Sequence, residues 1–413
     1  MSDPFRFYTG VDLGSTSHQG CVVDPQGQAA GERAIPHDGA GIAAWFDWLA
    51  ERTGNSPGQV AIACEMPHGA IVEAALLRGY AVFAINPKQL DRFRDRFSVA
   101  GAKDDRRDAL VLAQSLRTDR YAFRPLTLGD PRLLRLREIS RSEDGLREDL
   151  RRTANQLWSF LQRYFPGLLT LSPGADEPWL WALLAKAPLQ RKAALLRVST
   201  LDHLLHTHHI RRVSGAQLAE LLRKPPLVLA PGAAEAMAEQ VLLLVPRLQL
   251  LHRQHALLVR SSEALIEELS ADENYSGHRD VQILRSLPGV GRVFIATVLS
   301  EAPEGLAHRD YRVLRALAGV APVTAQSGKT RLVSIRHACH PRIRHAVYHS
   351  ASSYAHLDPR ARQLYVQMRA RGLTHARAVR GIADRFLALL FTLLRSGECY
   401  APTRRVLLPA VAA

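Results

Sequence analysis

The sequence predicts an α/β domain followed by two largely helical domains, an α/β plus α fold class. Three observations support this prediction. Short β-rich runs alternate with helical segments up to about residue 125, long Leu- and Arg-rich helical periodicity follows from about residue 131, and a Pro-Gly turn near residue 288 opens a third region. We therefore expect domains at 1–130, 131–280 and 281–413.

The N-terminal domain is predicted to open with an antiparallel meander, because turn residues separate its β-rich runs. The predicted elements are strands 5–13, 20–23 and 29–35, helix 40–52, strand 60–64, helix 70–78, strand 81–85, and helices beginning at Pro87 and Asp104. Their order, βββαβαβα, is that of the RNase H fold, so we expect an RNase H-like sheet.

Four acidic residues fall where this fold would bring them together. Asp12 ends the first strand, Glu65 directly follows the buried fourth strand, and Asp105 and Asp108 share one helical face because they are spaced i, i+3. Such carboxylates repel one another unless cations neutralise them, and their hard oxygens suit Mg²⁺ or Mn²⁺. The pattern predicts a metal-dependent nuclease centre, and Asp104 is expected to cap the helix or to be exposed rather than to bind metal.

The middle domain is predicted from two stretches of leucine periodicity, about 133–161 and 242–269, joined by a proline-broken helical insert, 166–231. The two stretches fit the arms of an antiparallel coiled coil or an ordinary helical bundle equally well. Histidines at 203, 206, 208 and 209 lie in the insert without a cysteine or acidic ligand pattern, so zinc binding is the weaker interpretation there.

Charge points to a polyanionic partner. The formal net charge is +15, and no Asp or Glu occurs from Tyr311 to Leu357. The lysine and arginine side chains in this acid-free window are Arg312, Arg315, Lys329, Arg331, Arg336, Arg342 and Arg344. Contacts to a phosphate backbone explain this asymmetry better than a generally basic composition does.

Other composition features predict a reducing, cytoplasmic setting. The four cysteines show no paired spacing, the first residues lack a secretory pattern, and the longest apolar run, 386–394, is too short to span a bilayer. We expect no disulfide framework and no membrane partner.

The C-terminal domain opens with Pro288, Gly289, Val290 and Gly291, a turn typical of a helix-hairpin-helix. In that motif the backbone N–H groups beside the glycines meet a DNA phosphate. A helix is predicted for 374–395. Gly289 and Gly291 are therefore candidate nucleic-acid contacts.

Several motifs taken in order resemble the DEDD insertion-sequence transposases of the IS-one-ten family. The motifs are Asp12, Glu65, the run Lys103-Asp104-Asp105-Arg106-Arg107-Asp108-Ala109, the turn 288–291, and Ala318-Gly319-Val320-Ala321-Pro322 continuing to Gln326-Ser327-Gly328. The resemblance covers essentially the whole chain. It implies a RuvC-like N-terminal domain, a coiled coil and a C-terminal transposase domain.

The resemblance also implies a recombinase rather than a hydrolytic nuclease. By the Ser-Gly match, Ser327 is the nucleophile that forms a covalent phosphoserine with DNA, and the metal-bound carboxylates complete a composite site. A phosphoester retains the energy needed to rejoin strands. The implied partners are donor and target DNA, a structured bridge RNA that guides target choice, and further copies of the chain in a dimer or tetramer, in the bacterial cytoplasm at the nucleoid.

The chain departs from the family pattern at two places. Asp104 stands where Thr is common, and Cys339-His340 precede Ile343-Arg344 where a Gly followed by Asn or Asp is common. Three other interpretations stay open: a Holliday-junction resolvase that uses metal-activated water, a non-catalytic nucleic-acid scaffold, and an actin-like kinase suggested by the loop 11–16. The kinase interpretation is weak, since no second phosphate loop follows.

Overall fold

A computed structural model describes residues 4–94, 104–328 and 330–402. By contacts the chain divides into two compact units, Met1–Gly129 and Asp130–Ala413. The three-domain division predicted from the sequence remains a prediction.

The N-terminal unit is a six-stranded mixed sheet with helices on both faces. Its elements are β1 (Phe7–Asp12), β2 (Ser17–Val23), β3 (Ala29–Pro36), α1 (Gly39–Thr53), β4 (Val60–Cys64), α2 (Ala70–Leu77), β5 (Ala81–Ala84), α3 (Pro87–Arg94), α4 (Asp105–Asp119) and β6 (Arg124–Leu126). The expected order of strands and helices is confirmed. The short edge strand β6 was not expected.

The strand order is β3-β2-β1-β4-β5-β6. Strands β1 to β3 form the expected antiparallel meander, β1 pairs parallel with β4, β4 pairs parallel with β5, and β6 closes the edge antiparallel to β5. All five residues of β4 are buried, as expected for a central parallel strand. One apolar layer lies on the α1 and α2 face, and a second lies on the α4 face.

The second unit is helical apart from one hairpin. Its helices are α5 (Pro131–Tyr164), α6 (Pro178–Lys186), α7 (Gln190–Ala193), α8 (Val198–Thr207), α9 (Gly215–Arg223), α10 (Ala233–Ala271), α11 (His278–Ser286), α12 (Arg292–Glu301), α13 (Pro303–Ala307), α14 (Tyr311–Leu317), α15 (Pro341–Leu357), α16 (Pro359–Ala370) and α17 (His375–Ser396). The hairpin consists of β7 (Val323–Ser327) and β8 (Thr330–Ser334).

The long helices α5 and α10 pack antiparallel. Arg132 at the start of α5 contacts Asp272 just beyond the end of α10, whereas Glu143, farther along α5, lies 3.5 Å from His255. Two separate apolar clusters form along this pair. One cluster joins the C-terminal half of α5 and the N-terminal half of α10 to helices α6, α8 and α9. The other joins the start of α5 and the end of α10 to helices α11, α12, α15 and α17. A coiled coil in the strict sense remains a prediction.

The turn 288–291 connects α11 and α12, so the predicted helix–turn–helix is present. Gly289 has φ of 83°, and a Cβ there would lie 2.6 Å from the backbone nitrogen of Tyr354 in α15. Glycine is therefore required both for the left-handed conformation and for the close approach. No helix in the described ranges is long and apolar enough to cross a membrane.

Candidate active-site residues in the two units

Strand pairing in the N-terminal unit brings Asp12 and Glu65 to the same edge of the sheet. Val11 of β1 is paired with Cys64 of β4, Asp12 is the last residue of β1, and Glu65 directly follows β4. Side chains alternate between the faces of a sheet. Because Val11 belongs to the apolar layer beneath α1 and α2, Asp12 follows on the opposite, α4-bearing face. Glu65 lies 3.5 Å from Arg94, which is hydrogen-bonded to Asp108 of α4.

Helix α4 lies directly on β1, and this contact requires Gly10. A Cβ at Gly10 would lie 2.0 Å from the carbonyl oxygen of Ala109 and 2.6 Å from the backbone nitrogen of Ala113. The close approach sets the first turn of α4 above the end of β1. Asp108 in that turn is buried, with 1% of its surface exposed.

The predicted N-cap is confirmed. Asp104 is extended, and its side chain accepts a hydrogen bond from the backbone N–H of Arg106 at 3.3 Å. This bond satisfies one of the orphan donors at the helix start. Asp105 lies in the same first turn but is exposed.

Arg94, at the end of α3, is the residue that sequence reasoning missed. Its Nε donates to Asp108 Oδ1 at 2.7 Å and its Nη2 donates to Asp108 Oδ2 at 2.8 Å, while Nη2 also lies 3.5 Å from Glu65 Oε1. Nη1 donates to Asp91 at 2.5 Å. Burial alone lowers the pKa of Arg94, but the hydrogen bond to Asp108 and the three carboxylate charges raise it above its ordinary value.

The structure thus places Glu65 and Asp108 around the same positive charge. That charge is the guanidinium of Arg94 and not a metal ion. Among the described residues, no three His, Cys, Asp or Glu side chains are close enough to hold a metal ion. Carboxylate oxygens at the end of β1, beyond β4 and in α4 are the donor type that Mg²⁺ prefers. The donor chemistry fits a divalent cation, provided that Arg94 releases Asp108.

Histidines 203, 206, 208 and 209 lie in α8 and the turn after it. Within the described residues, they are not part of any group of three side chains that could hold a metal ion. Burial lowers the pKa of His208, and the nearby His209 and His252 lower it further.

In the second unit Ser327 is the last residue of β7, at the tip of an exposed hairpin. It pairs with Thr330 across a turn in which Gly328 has φ of 56°. Every residue of β7 and β8 is exposed, and within the described residues the Ser327 hydroxyl has no hydrogen-bond partner. Lys329, a predicted phosphate contact, lies outside the described residues, as does Lys103 of the acidic motif.

The four candidate arginines near the hairpin occupy different environments. Arg331 is exposed on β8 opposite Gln326. Arg336 donates to the carbonyl of Ala321 at 3.3 Å, and Arg344 donates to the carbonyl of Arg336 at 2.5 Å. These bonds tie the base of the hairpin to α15.

Arg342 belongs to an internal ion-pair network. Its guanidinium contacts Asp144 at 2.7 Å, Ser140 Oγ at 2.6 Å and the buried carboxylate of Glu301. Arg141 also donates to Glu301, at 2.9 Å. A phosphate contact by Arg342 stays a prediction, but the structure gives this side chain three partners within its own unit.

Glu301 has an unusual electrostatic environment. Its side chain is 4% exposed. Burial by itself raises the pKa of this carboxyl, but the hydrogen bond from Arg141 and the charges of Arg141 and Arg342 outweigh burial and hold it below its ordinary value. Burial lowers the pKa of the adjacent His340. Sequence spacing could not reveal this network, because α5, α12 and α15 each contribute to it.

Comparison with known proteins gives matches over most of the chain. Residues 9–166 match a family model described as Transposase, and residues 281–366 match one described as Transposase IS116/IS110/IS902 family. The mini-circle putative transposase for IS117 from Streptomyces coelicolor is 30% identical over 97% of both chains. An IS110 protein of 43.6 kDa from the same species is 27% identical over 95% of both chains.

A putative transposase, y4uE, from Sinorhizobium fredii is 43% identical over 57% of this chain. That alignment covers 64% of the y4uE protein, so this chain spans less than two thirds of it.

Proposed function

This chain belongs to the IS110 family of transposases, and we propose that it cuts and rejoins DNA through Ser327, with the carboxylates of the N-terminal unit as an RNase H-like (RuvC-like) metal centre. The observation that carries the proposal is the position of Ser327. It is an exposed hydroxyl at the tip of a hairpin, within the transposase-matched segment and the acid-free basic window.

The position of the hairpin suits attack on a DNA backbone. Its two strands are exposed along their length, and Arg331 is exposed one pair away from the Ser327–Thr330 pair. Cationic side chains beside a nucleophile hold the phosphate and stabilise charge that builds on it in the transition state. The absence of acidic residues from 311 to 357 removes the repulsion that would oppose binding.

The covalent step exchanges one phosphoester for another. Ser327 Oγ forms a bond to the phosphorus of the scissile diester as the bond from phosphorus to the departing sugar oxygen breaks. The serine hydroxyl proton is passed on, and the sugar oxygen leaves as a hydroxyl. Attack by a sugar hydroxyl of a second strand on the phosphoserine reverses the step and rejoins DNA, with no energy source besides the ester itself.

Asp12, Glu65, Asp105 and Asp108 would hold the metal. A bound Mg²⁺ or Mn²⁺ supplies Lewis-acid stabilisation of the phosphate oxygens during this exchange. The supporting features are the shared sheet edge of Asp12 and Glu65 and the burial of Asp108 above that edge. In this structure the charge of Arg94 offsets those of Asp108 and Glu65, the role that a bound metal would have.

We further propose a structured bridge RNA as guide, and assembly into a dimer or tetramer. The net charge of +15 exceeds what one short phosphate contact requires, which supports a second nucleic-acid partner. Joining two DNA ends requires two nucleophiles, which supports more than one copy.

The test is the covalent adduct between protein and DNA. Full-length protein with Mg²⁺, guide RNA and a labelled DNA substrate is expected to give a band that survives denaturing electrophoresis. Ser327→Ala is expected to abolish the band. Ser334→Ala, which removes an exposed hydroxyl at the other end of the hairpin, is the matched control and should retain it. An adduct that persists in Ser327→Ala overturns the nucleophile. Cleavage without any adduct favours the resolvase alternative, in which metal-activated water attacks.

A further inference from the structure

A cavity of about 280 Å³ lies at the base of the hairpin, between α15 and α17. Its walls are largely apolar and include Val320, Val347, Ala383 and Tyr348. The cavity is larger than an ion needs and close to the lower end of the pockets, about 300–1,000 Å³, that take small organic ligands.

No acidic residue in the described ranges lines this cavity, and three basic residues do. They are Arg344, His345 and Arg380. Asp384, the acidic residue beside Ala383, forms a bidentate ion pair with Arg315. Within the described part of the chain, the structure gives Arg380 no ion pair or hydrogen bond. The cavity therefore combines an apolar interior with a cation whose charge is unmatched.

Arg344 is held in place at the cavity wall. Its Nη2 donates to the carbonyl of Arg336, and its Nε lies against Gly319, where a Cβ would come within 2.9 Å. Gly319 is buried and has φ of 66°, so a larger residue there would be both strained and obstructed. The glycine thus leaves space for a guanidinium whose remaining donors are available to a ligand.

We propose that this cavity binds a single nucleobase turned out of a DNA strand, with the flanking backbone phosphates on Arg344 and Arg380. A base is flat and apolar on its faces, and it stacks on an aromatic ring such as that of Tyr348. The phosphates that flank it match the basic rim, and none of the described residues that line the cavity is acidic. An apolar protein side chain would fill the interior but leave the cations unmatched.

This inference rests on the proposed action on DNA but not on the serine chemistry. The cavity lies at the base of the hairpin whose tip carries Ser327, since Val320 precedes β7 and Ile335 follows β8. A strand engaged by the hairpin would be held in register by the captured base. Unpaired or distorted DNA would bind best, because its bases are the least costly to turn out.

The test compares two short single strands of equal length and phosphate number. One carries deoxyadenosine, and the other has an abasic backbone. Affinities are measured by fluorescence anisotropy with the full-length Ser327→Ala protein, so that no covalent step contributes. We expect the base-bearing strand to bind at least about five-fold more tightly.

Filling the cavity by Ala383→Leu is expected to lower this ratio at least about five-fold, the effect of losing one stacked base, while leaving the abasic affinity unchanged. Ala376→Leu makes the same change at an exposed position of α17 and should keep the ratio.

A second pair of variants covers the case in which Ala383→Leu does not fold. Tyr348→Phe should keep the ratio of the two affinities, and Tyr348→Leu should lower it. Equal ratios in each matched pair of folded variants overturn the proposal and leave the cavity to another occupant, such as an apolar side chain of a second copy. If these ratio changes are observed but the protein with Ser327 intact forms no adduct with DNA, the serine mechanism alone is disproved.

Discussion

Arg94 holds the buried carboxylate of Asp108 through two parallel hydrogen bonds, 2.7 and 2.8 Å long, and the same guanidinium lies 3.5 Å from Glu65. This fork is the geometry in which arginine binds a carboxylate most strongly. It gives the acidic edge of the sheet a positive charge supplied by the protein. A divalent cation that binds there must compete with that charge.

Replacing Arg94 therefore has opposite effects on stability and on metal affinity. In metal-free buffer, Arg94→Gln is expected to lower the free energy of unfolding by about 2–4 kcal/mol, because a buried carboxylate loses its partner. Mn²⁺ should bind this variant more tightly than wild type and restore part of the stability. Urea unfolding and calorimetric titration with Mn²⁺ measure both effects. Arg92→Gln, at an exposed position of α3, should change neither. Unchanged or weaker Mn²⁺ binding in Arg94→Gln would exclude competition between the guanidinium and the metal.

A substitution at Gly10 tests the contact that places α4 above the end of β1. Gly10→Ala places a Cβ against backbone atoms of α4, which cannot rotate away, so it is expected to cost roughly 1–3 kcal/mol in urea unfolding. The added methyl should also shift the first turn of α4 and weaken Mn²⁺ binding. Gly58→Ala is the control, because a Cβ there meets no atom within 4 Å. A Gly10→Ala protein as stable as the Gly58→Ala protein would refute the packing described here.

The ion-pair network around Glu301 predicts a defined dependence of stability on pH. The pKa of Glu301 is held below its ordinary value of 4.5, so the unfolded chain takes up the proton first. Its contribution to stability is complete above about pH 4.5 and is lost as pH falls through the folded-state pKa. The difference in stability between wild type and Glu301→Gln should narrow as pH falls below about 4.5. Glu220→Gln, an exposed change, should show no such trend. A difference that stays constant into acid would contradict the assignment.

Replacing each of two arginines in the acid-free window should have a different effect, one on the affinity for DNA and the other on the stability of the fold. Arg331→Gln is expected to leave the melting temperature unchanged and to reduce the slope of log affinity against log salt for duplex DNA by about 0.9, the loss of one phosphate contact. Arg342→Gln should instead destabilise the fold by roughly 1–3 kcal/mol, because Glu301 and Asp144 lose a shared partner while Arg141 continues to pair with Glu301. Anisotropy titrations at several salt concentrations and thermal unfolding provide the two measurements. A stable Arg342→Gln protein with a reduced salt slope would assign Arg342 to the nucleic-acid surface.

The sequence predicted the features that local pattern encodes. Alternating and helical periodicities report local conformation, so the order of elements in the N-terminal unit, the capping role of Asp104 and the helix His375–Ser396 were predictable. Parallel pairing then followed from element order, which placed Asp12 beside Glu65.

The features that could not be predicted depend on partners far apart in sequence. Nothing around Arg94 marks it as the partner of Asp108, since Arg92 nearby has the same charge. The network at Glu301 joins three helices. Arg342 was predicted as a phosphate contact because its acidic partners, at positions 144 and 301, are far away in sequence. The hairpin β7–β8 was also missed, since its strands are exposed on both faces and show no alternation of burial.

The central claim is that the hydroxyl of Ser327 becomes bonded to DNA. The most direct measurement digests the protein–DNA adduct with nuclease and protease and maps the remaining nucleotide by tandem mass spectrometry. The proposal predicts a phosphodiester-linked nucleotide on the peptide that contains Ser327, and no modified peptide when Asp108 is replaced by Asn. A nucleotide attached to any other residue, or strand joining with no modified peptide at all, would contradict it.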